Sequence, residues 1–299
     1  MKFVTYLKDG LENIGILKEN DVVNLQYIFK SIGEGNPPKT MVELIESSSN
    51  DMIHKIGELL KNEKVPTILL DEIKLIAPIP YPRRNVFCLG KNYVDHVKEV
   101  KITRITGNDI PENPIYFTKA ASPAIGQNDS IKFSTKVTKQ VDYEAELAVI
   151  IGKDGKNIRK EDVEDYIFGY TIINDVSARD LQGRHSQWFK GKSLDSFCPM
   201  GPAILHKSKA TFPVELDIKC TVNGELRQNS NTKNLIFDIP YIISDLSNGL
   251  TLKAGDIIST GTPSGVGMGF DPIKVLKDGD IVECSIEDIG TLKNIVVEF

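Results

Sequence analysis

His96 and Glu99 stand three residues apart in "GKNYVDHVKE", just after the apolar run Asn85–Val86–Phe87–Cys88–Leu89, in a chain with only 4 histidines. The run reads as a buried strand that Gly90 ends, and a helix just beyond it would put residues three apart on one face. Glu99 could then hold the His96 imidazole, fix its tautomer and favour its protonated form, an arrangement suited to general acid–base chemistry. An isolated H-x-x-E pair on a helical surface has the same spacing, so its company decides its meaning. In "VDYEAELAVIIG", Glu144 and Glu146 share one face of a strand. Like charges that close repel unless something cationic stands between them. Taken alone, two solvated glutamates on an exposed strand edge account for the pair. "GYTIIND" then ends on Asp175, a third carboxylate at the end of an apolar strand. If the three converge, they form an oxygen-only set that favours Mg²⁺ or Mn²⁺ over zinc, whose sites are richer in His and Cys.

The elements that must position these residues follow from pattern and punctuation. The first 77 residues open as a small β-meander, "FVTYL", "NIGIL" and "VVNL", with turns at Lys8–Asp9–Gly10 and Asn20–Asp21. Two helices are expected next. One is "TMVELIES", capped by Thr40; the other is "NDMIHKIGELLKN", with Met52, Ile53, Ile56, Leu59 and Leu60 on one face and His54 off it, in solvent. Prolines 78, 80 and 82 in "IAPIPYPRRN" cannot continue a helix or a central strand, and they mark a boundary between a small N-terminal α/β domain, 1–77, and a larger domain, 78–299. Beyond Asn85 short β-like runs dominate. Asn223–Gly224 signals a tight hairpin, and helices are few, with one expected around "RKEDVEDYI" and one around "LIFDIPYIISDLSNG". The fold class is α+β, mainly β: a rolled or sandwiched β-structure with a few helices.

Hydrophobic residues make up 40% of the chain and the net charge is −5 with the signs intermixed, which supports a core and argues against a nucleic-acid footprint. No apolar run approaches the roughly 20 residues of a membrane span. "MKFVTYLKDG" reaches charge and glycine too early for a secretory signal, and Cys88, Cys198, Cys220 and Cys284 are scattered without CxxC pairing. A cytoplasmic protein with reduced, buried thiols is expected.

Together "GKNYVDHVKE", "YFTKAASPAIG", "DYEAELAVIIGK", "FGYTIINDVSARDLQ", "KGKSLDSFCPMGP", "NGELRQ" and "GDIISTGTPSGVG" resemble, in order, the motifs of the fumarylacetoacetate hydrolase family, over essentially Asn85 to Phe299. The N-terminal segment is similar, with weaker motifs, to the small extra domain of its longer bacterial members. The resemblance implies Mg²⁺ or Mn²⁺ held by Glu144, Glu146 and Asp175, and a catalytic dyad of His96 and Glu99. It also implies a Lys192 that meets the substrate's developing negative charge, Gln182 and Thr262 as substrate-orienting groups, and a homodimer. "GTPSGVGMG" lacks both nucleotide-binding signatures and is expected to turn its N–H groups to a substrate carboxylate.

The reaction implied is cleavage of the C3–C4 bond of a small 2-oxo acid through a pyruvate enolate stabilised by the ion, with oxaloacetate decarboxylation ahead of acylpyruvate hydrolysis. The alternatives are an isomerase or hydratase of 2-oxo dicarboxylates in aromatic degradation, which would use the same parts, or a metal-binding scaffold with a partner-binding N-terminal domain. Residues 100–113, polar and irregular, are expected to form a lid. His185 is expected in solvent, His206 at a polar strand end, and Trp188 in packing.

Overall fold

The computed structural model describes residues 1–62, 64–99, 110–121 and 123–299. "ELAVII" shows why the molecule is layered. Every residue of strand Ala145–Ile151 is buried, and its alternate side chains enter different cores. Leu147, Val149 and Ile151 join one apolar cluster, while Ala148 and Ile150 join another. A strand with two apolar faces belongs in the middle of a sheet covered on both sides, where each large side chain contributes about 1.5–3 kcal/mol of burial.

That sheet has eleven strands, with Ala145–Ile151 between Ile167–Asn174 and Ile257–Ser259. Val86–Gly90 runs parallel to Ile257–Ser259 and antiparallel to Ile115–Lys119. One face packs on a five-stranded sheet built from Asp217–Val222, Glu225–Asn231, Ile281–Ile286, Gly290–Glu298 and Ser130–Phe133. The other is covered by the helices Leu25–Ile32, Met41–Ser47 and Asn50–Leu60. The architecture is the expected α+β, mainly β sandwich.

Local signals hold where side chains cap or turn the backbone. Thr40 accepts from Glu43 N, and the Glu43 carboxylate accepts in return from Lys39 N. Asn223 and Gly224 take φ of 51° and 79°, the two positive values that a two-residue hairpin needs. "LIFDIPYIISDLSNG" contains helix Ile239–Ser247, capped by Asp238 with Pro240 in its first turn. "RKEDVEDYI" tightens into a 3₁₀ segment, Lys160–Tyr166. Helix Leu25–Ile32 was not anticipated, although Asn24 caps it and Gly33 ends it with φ of 73°.

At the division expected at 77/78, sheet and core are continuous. Strand Lys2–Lys8 pairs with Met200–His206, and Phe3, Ile16 and Ile28 share a cluster with Val86, Cys88 and Ile150. All four cysteines are buried and free, and Cys220 and Cys284 face each other across two strands with Sγ atoms 3.9 Å apart. No helix among the described residues is long and apolar enough to cross a membrane. His54 and His185 are exposed. His206 ends its strand buried, and burial, with the N-terminal ammonium and Lys207, holds it down to about 4. Residues 100–109 of the expected lid lie outside the described residues.

Candidate metal centre and catalytic dyad

Register brings the three carboxylates together. Ala145 pairs with Asn174, so Glu144 and Asp175 face each other at the strand ends, joined by Asp175 N–H donating to Glu144 O at 2.8 Å. Glu146 follows one pleat later. One ligand atom from each of Glu144, Glu146 and Asp175 lies within 4.8 Å of the others, and all three residues are buried.

Cations divide the cluster unevenly. Lys192, only 2% exposed, donates to Glu144 Oε2 at 2.5 Å and to Asp175 Oδ2 at 2.7 Å. Arg179 joins Asp142, at 2.9 Å, to Glu144 Oε1, at 2.7 Å. Lys119, fully buried, donates to the Val176, Lys192 and Phe197 carbonyls and lies 2.9 Å from Asp175 Oδ1. Burial pushes the Glu144 carboxyl up, but Lys192 and Arg179, with His96 beyond them, outweigh it and bring it down to about 2. Glu146 behaves oppositely. Burial raises it well above the usual carboxylate range, and Asp175 and Glu144 raise it further. Its Oε2 accepts from Ser259 Oγ at 2.5 Å and Gly261 N at 3.0 Å.

The residues fit a divalent ion. Among the described residues Asp175 Oδ1 is buried without an aligned hydrogen bond, even with Lys119 at ion-pair distance, and burial and nearby anions push the Glu146 carboxylate toward its neutral form. A hard cation with oxygen ligands relieves both.

His96 is buried on the short helix Val94–Glu99, and its Nδ1 lies 3.0 Å from Glu99 Oε1. A carboxylate only accepts, so Nδ1 carries the hydrogen and Nε2 is left for chemistry. Glu99 is itself fixed, since its Oε2 accepts from Gly265 N at 2.8 Å and a Cβ on Gly269 would come within 2.5 Å of it. Here the glycine-rich loop departs from expectation. Gly265 serves Glu99, while Gly267 and Met268 donate to Asp142 at 2.7 and 3.1 Å, so these N–H groups hold the protein's own carboxylates.

A cavity of about 30 Å³, room for roughly one or two waters, joins the two sets. His96, Glu144, Glu146, Lys192, Gln182 and Thr262 line it, and Phe117 and Trp188, edge to face at 5.3 Å, wall it. Trp188 packs so closely on Gly90 that a Cβ there would meet it at 2.2 Å. All the expected site residues line this cavity except Asp175, which stands behind Lys192, and Glu99, which stands behind His96. Three are more engaged than expected, Lys192 through its bonds to Glu144 and Asp175. Gln182 Oε1 accepts from Arg179, and the Thr262 hydroxyl donates to Ala145 O while accepting from Gln228.

Sequence reasoning missed Lys119, Asp142, Arg179 and Gln228. Each lies inside a quoted motif, but their partners are distant in the chain: Lys119 and Arg179 reach the carboxylates, while Asp142 and Gln228 brace the backbone beside them.

The comparisons with known proteins give the family. Residues 85–297 match the family described as fumarylacetoacetate (FAA) hydrolase C-terminal. The chain is 46% identical over 302 residues to oxaloacetate tautomerase YisK of Bacillus subtilis, covering 98% of this chain and 99% of that one. It superposes with a TM-score of 0.82 and 40% identity on a fumarylacetoacetate hydrolase of Exiguobacterium antarcticum, covering 100% of both chains. A maleylpyruvate hydrolase of Sphingobium, solved with manganese(II) and pyruvate, superposes at 0.79 with 29% identity, covering 100% of this chain and 99% of that one. The chain belongs to the fumarylacetoacetate hydrolase family, and the relatives it resembles include enzymes named for the 2-oxo acids oxaloacetate and maleylpyruvate.

Proposed function

We propose that this protein interconverts the keto and enol forms of a small 2-oxo acid, oxaloacetate first, by moving a proton at the carbon beside the keto group. The observation that carries the reading is His96, held from behind by Glu99, lining the same small cavity as Glu144 and Glu146. The full-length likeness to an oxaloacetate tautomerase supports this choice of reaction over others that share the enolate.

Glu144, Glu146 and Asp175 would hold Mg²⁺ or Mn²⁺, which when bound supplies Lewis-acid polarisation of the keto group. Glu99 holds Nδ1–H, so Nε2 of His96 takes a proton from C3 of the keto form. The C–H electron pair becomes the C2=C3 bond, the imidazolium so formed gives its proton to the keto oxygen through water, and the reverse path restores the keto form. Lys192 and Arg179 keep Glu144 ionised and aimed, and Gln182 and Thr262 line the same cavity. Phe117 and Trp188 limit the water that could compete for the proton.

Cleavage of the C3–C4 bond, by decarboxylation of oxaloacetate or hydrolysis of an acylpyruvate, is the second reading. It is supported by the relative solved with manganese and pyruvate. The experiment follows enol-oxaloacetate decay and pyruvate release together, with Mn²⁺ present. Enol decay far ahead of pyruvate supports tautomerisation, whereas the two in step would overturn it in favour of cleavage.

A further inference from the structure

Tyr93 stands just before the helix of His96, and no role above uses it. Its ring is 2% exposed, its backbone bridges to Leu235, and its carbonyl accepts from Val97 N at 3.0 Å. Its hydroxyl is fully buried and has no hydrogen-bond partner among the described residues. A phenylalanine would fill the same space without that cost, so a buried phenol with an idle hydroxyl points to a partner that arrives with a ligand.

The neighbouring residues place this turn beside the carboxylate cluster. Asn92 donates to Thr260 O at 2.8 Å and to Phe237 O at 3.0 Å, and it accepts from Phe237 N at 2.8 Å. Thr260 sits between Ser259 and Gly261, the two donors to Glu146, and a Cβ on Gly261 would come within 2.8 Å of Asn92 Cβ. The turn carrying Tyr93 therefore packs on the turn that holds Glu146. Burial raises the Tyr93 hydroxyl above the usual phenol value, and nearby Glu146 raises it further. Lys119, Lys192 and Arg179 pair with Asp175, Glu144 and Asp142, and among the described residues none pairs with Glu146.

We propose that Tyr93 is a positioning residue of the metal centre, whose hydroxyl donates to a water molecule held against Glu146 once a divalent ion is bound. This rests on the reading of Glu144, Glu146 and Asp175 as the ligand set. Such outer donors orient a ligand carboxylate, and their loss typically weakens metal affinity about 10- to 100-fold.

The test is Tyr93→Phe in the full chain, with Mn²⁺ affinity measured by calorimetry and melting measured without metal. The expected result is a Kd for Mn²⁺ raised about tenfold or more, with a metal-free Tm equal to or above that of the unmodified protein. An unchanged Kd would overturn the proposal. So would a fall in the metal-free Tm of several degrees, because the hydroxyl would then already have a structural partner. If the unmodified protein binds no Mn²⁺, the ligand-set reading falls and takes this one with it. Tight binding there beside an unchanged Tyr93→Phe variant removes the Tyr93 role alone.

Discussion

Glu144 and Glu146 are two residues apart, yet their surroundings drive them in opposite directions. The effect on pH dependence can be signed. Glu144 is depressed to about 2 in the folded protein, from an ordinary value of 4.5, so its stabilising contribution is present above 4.5 and drains away as pH falls toward 2. Glu146 is raised, so the folded metal-free protein loses stability through it as pH rises and regains it on protonation. An ion taking Glu146 as ligand must displace whatever proton it holds. Mn²⁺ binding near neutral pH is therefore expected to release protons and to weaken as pH falls. Calorimetry in two buffers of different ionisation enthalpy reads this directly, and a heat independent of buffer would contradict it. Of these features, the carboxylates were visible in the sequence because spacing alone places them. Their opposed charge states were not, because Lys192 and Arg179 reach Glu144 across strands and neither reaches Glu146.

At the scale of elements, the site is braced by pieces that touch no substrate. Gln228, from the hairpin strand Glu225–Asn231, accepts from Ala145 N at 3.0 Å and donates to Thr262 Oγ1 and Pro263 O, both at 2.8 Å. Gln228→Ala leaves these buried groups unsatisfied and should cost about 2–4 kcal/mol. Denaturant unfolding checks this, and a loss under 1 kcal/mol would mean that the brace is replaceable. Gly269→Ala acts more locally, since its new methyl meets the Glu99 carboxylate. Turnover should fall on the order of 100-fold with little change in Tm, because a displacement of about 1 Å can cost that much. Caps and the Asn–Gly hairpin could be read ahead of the structure because their signals are local. The glycine-rich loop was assigned to a substrate carboxylate because nothing in "GTPSGVGMG" tells whose carboxylate it will meet. Asp142 and Glu99 are contributed from 125 and 166 residues away in the chain.

For the molecule as a whole, the proline-marked division at 77/78 does not interrupt the large sheet. Removing residues 1–77 would uncover one edge of Met200–His206 and the apolar faces of Ala148, Ile150 and Ile173. The truncated chain is expected to be insoluble or to lose cooperative unfolding. A soluble truncated protein with unchanged Mn²⁺ affinity would show instead that the segment is a separable module, as the partner-binding scaffold reading requires. Composition suggested the boundary because the texture changes there. Sheet continuity stayed hidden because pairing between Lys2–Lys8 and Met200–His206 is a contact between distant parts of the chain.

The central claim is that His96, held by Glu99, moves a substrate proton beside the carboxylate cluster. Its most direct measurement is the rate of enol-to-keto conversion of oxaloacetate with saturating Mn²⁺, comparing the unmodified protein with His96→Ala and Glu146→Ala. The account predicts a loss of about 10²- to 10⁴-fold in His96→Ala with Mn²⁺ binding retained, and loss of both rate and tight binding in Glu146→Ala. A His96→Ala protein that binds Mn²⁺ and converts the enol at the unmodified rate would contradict it.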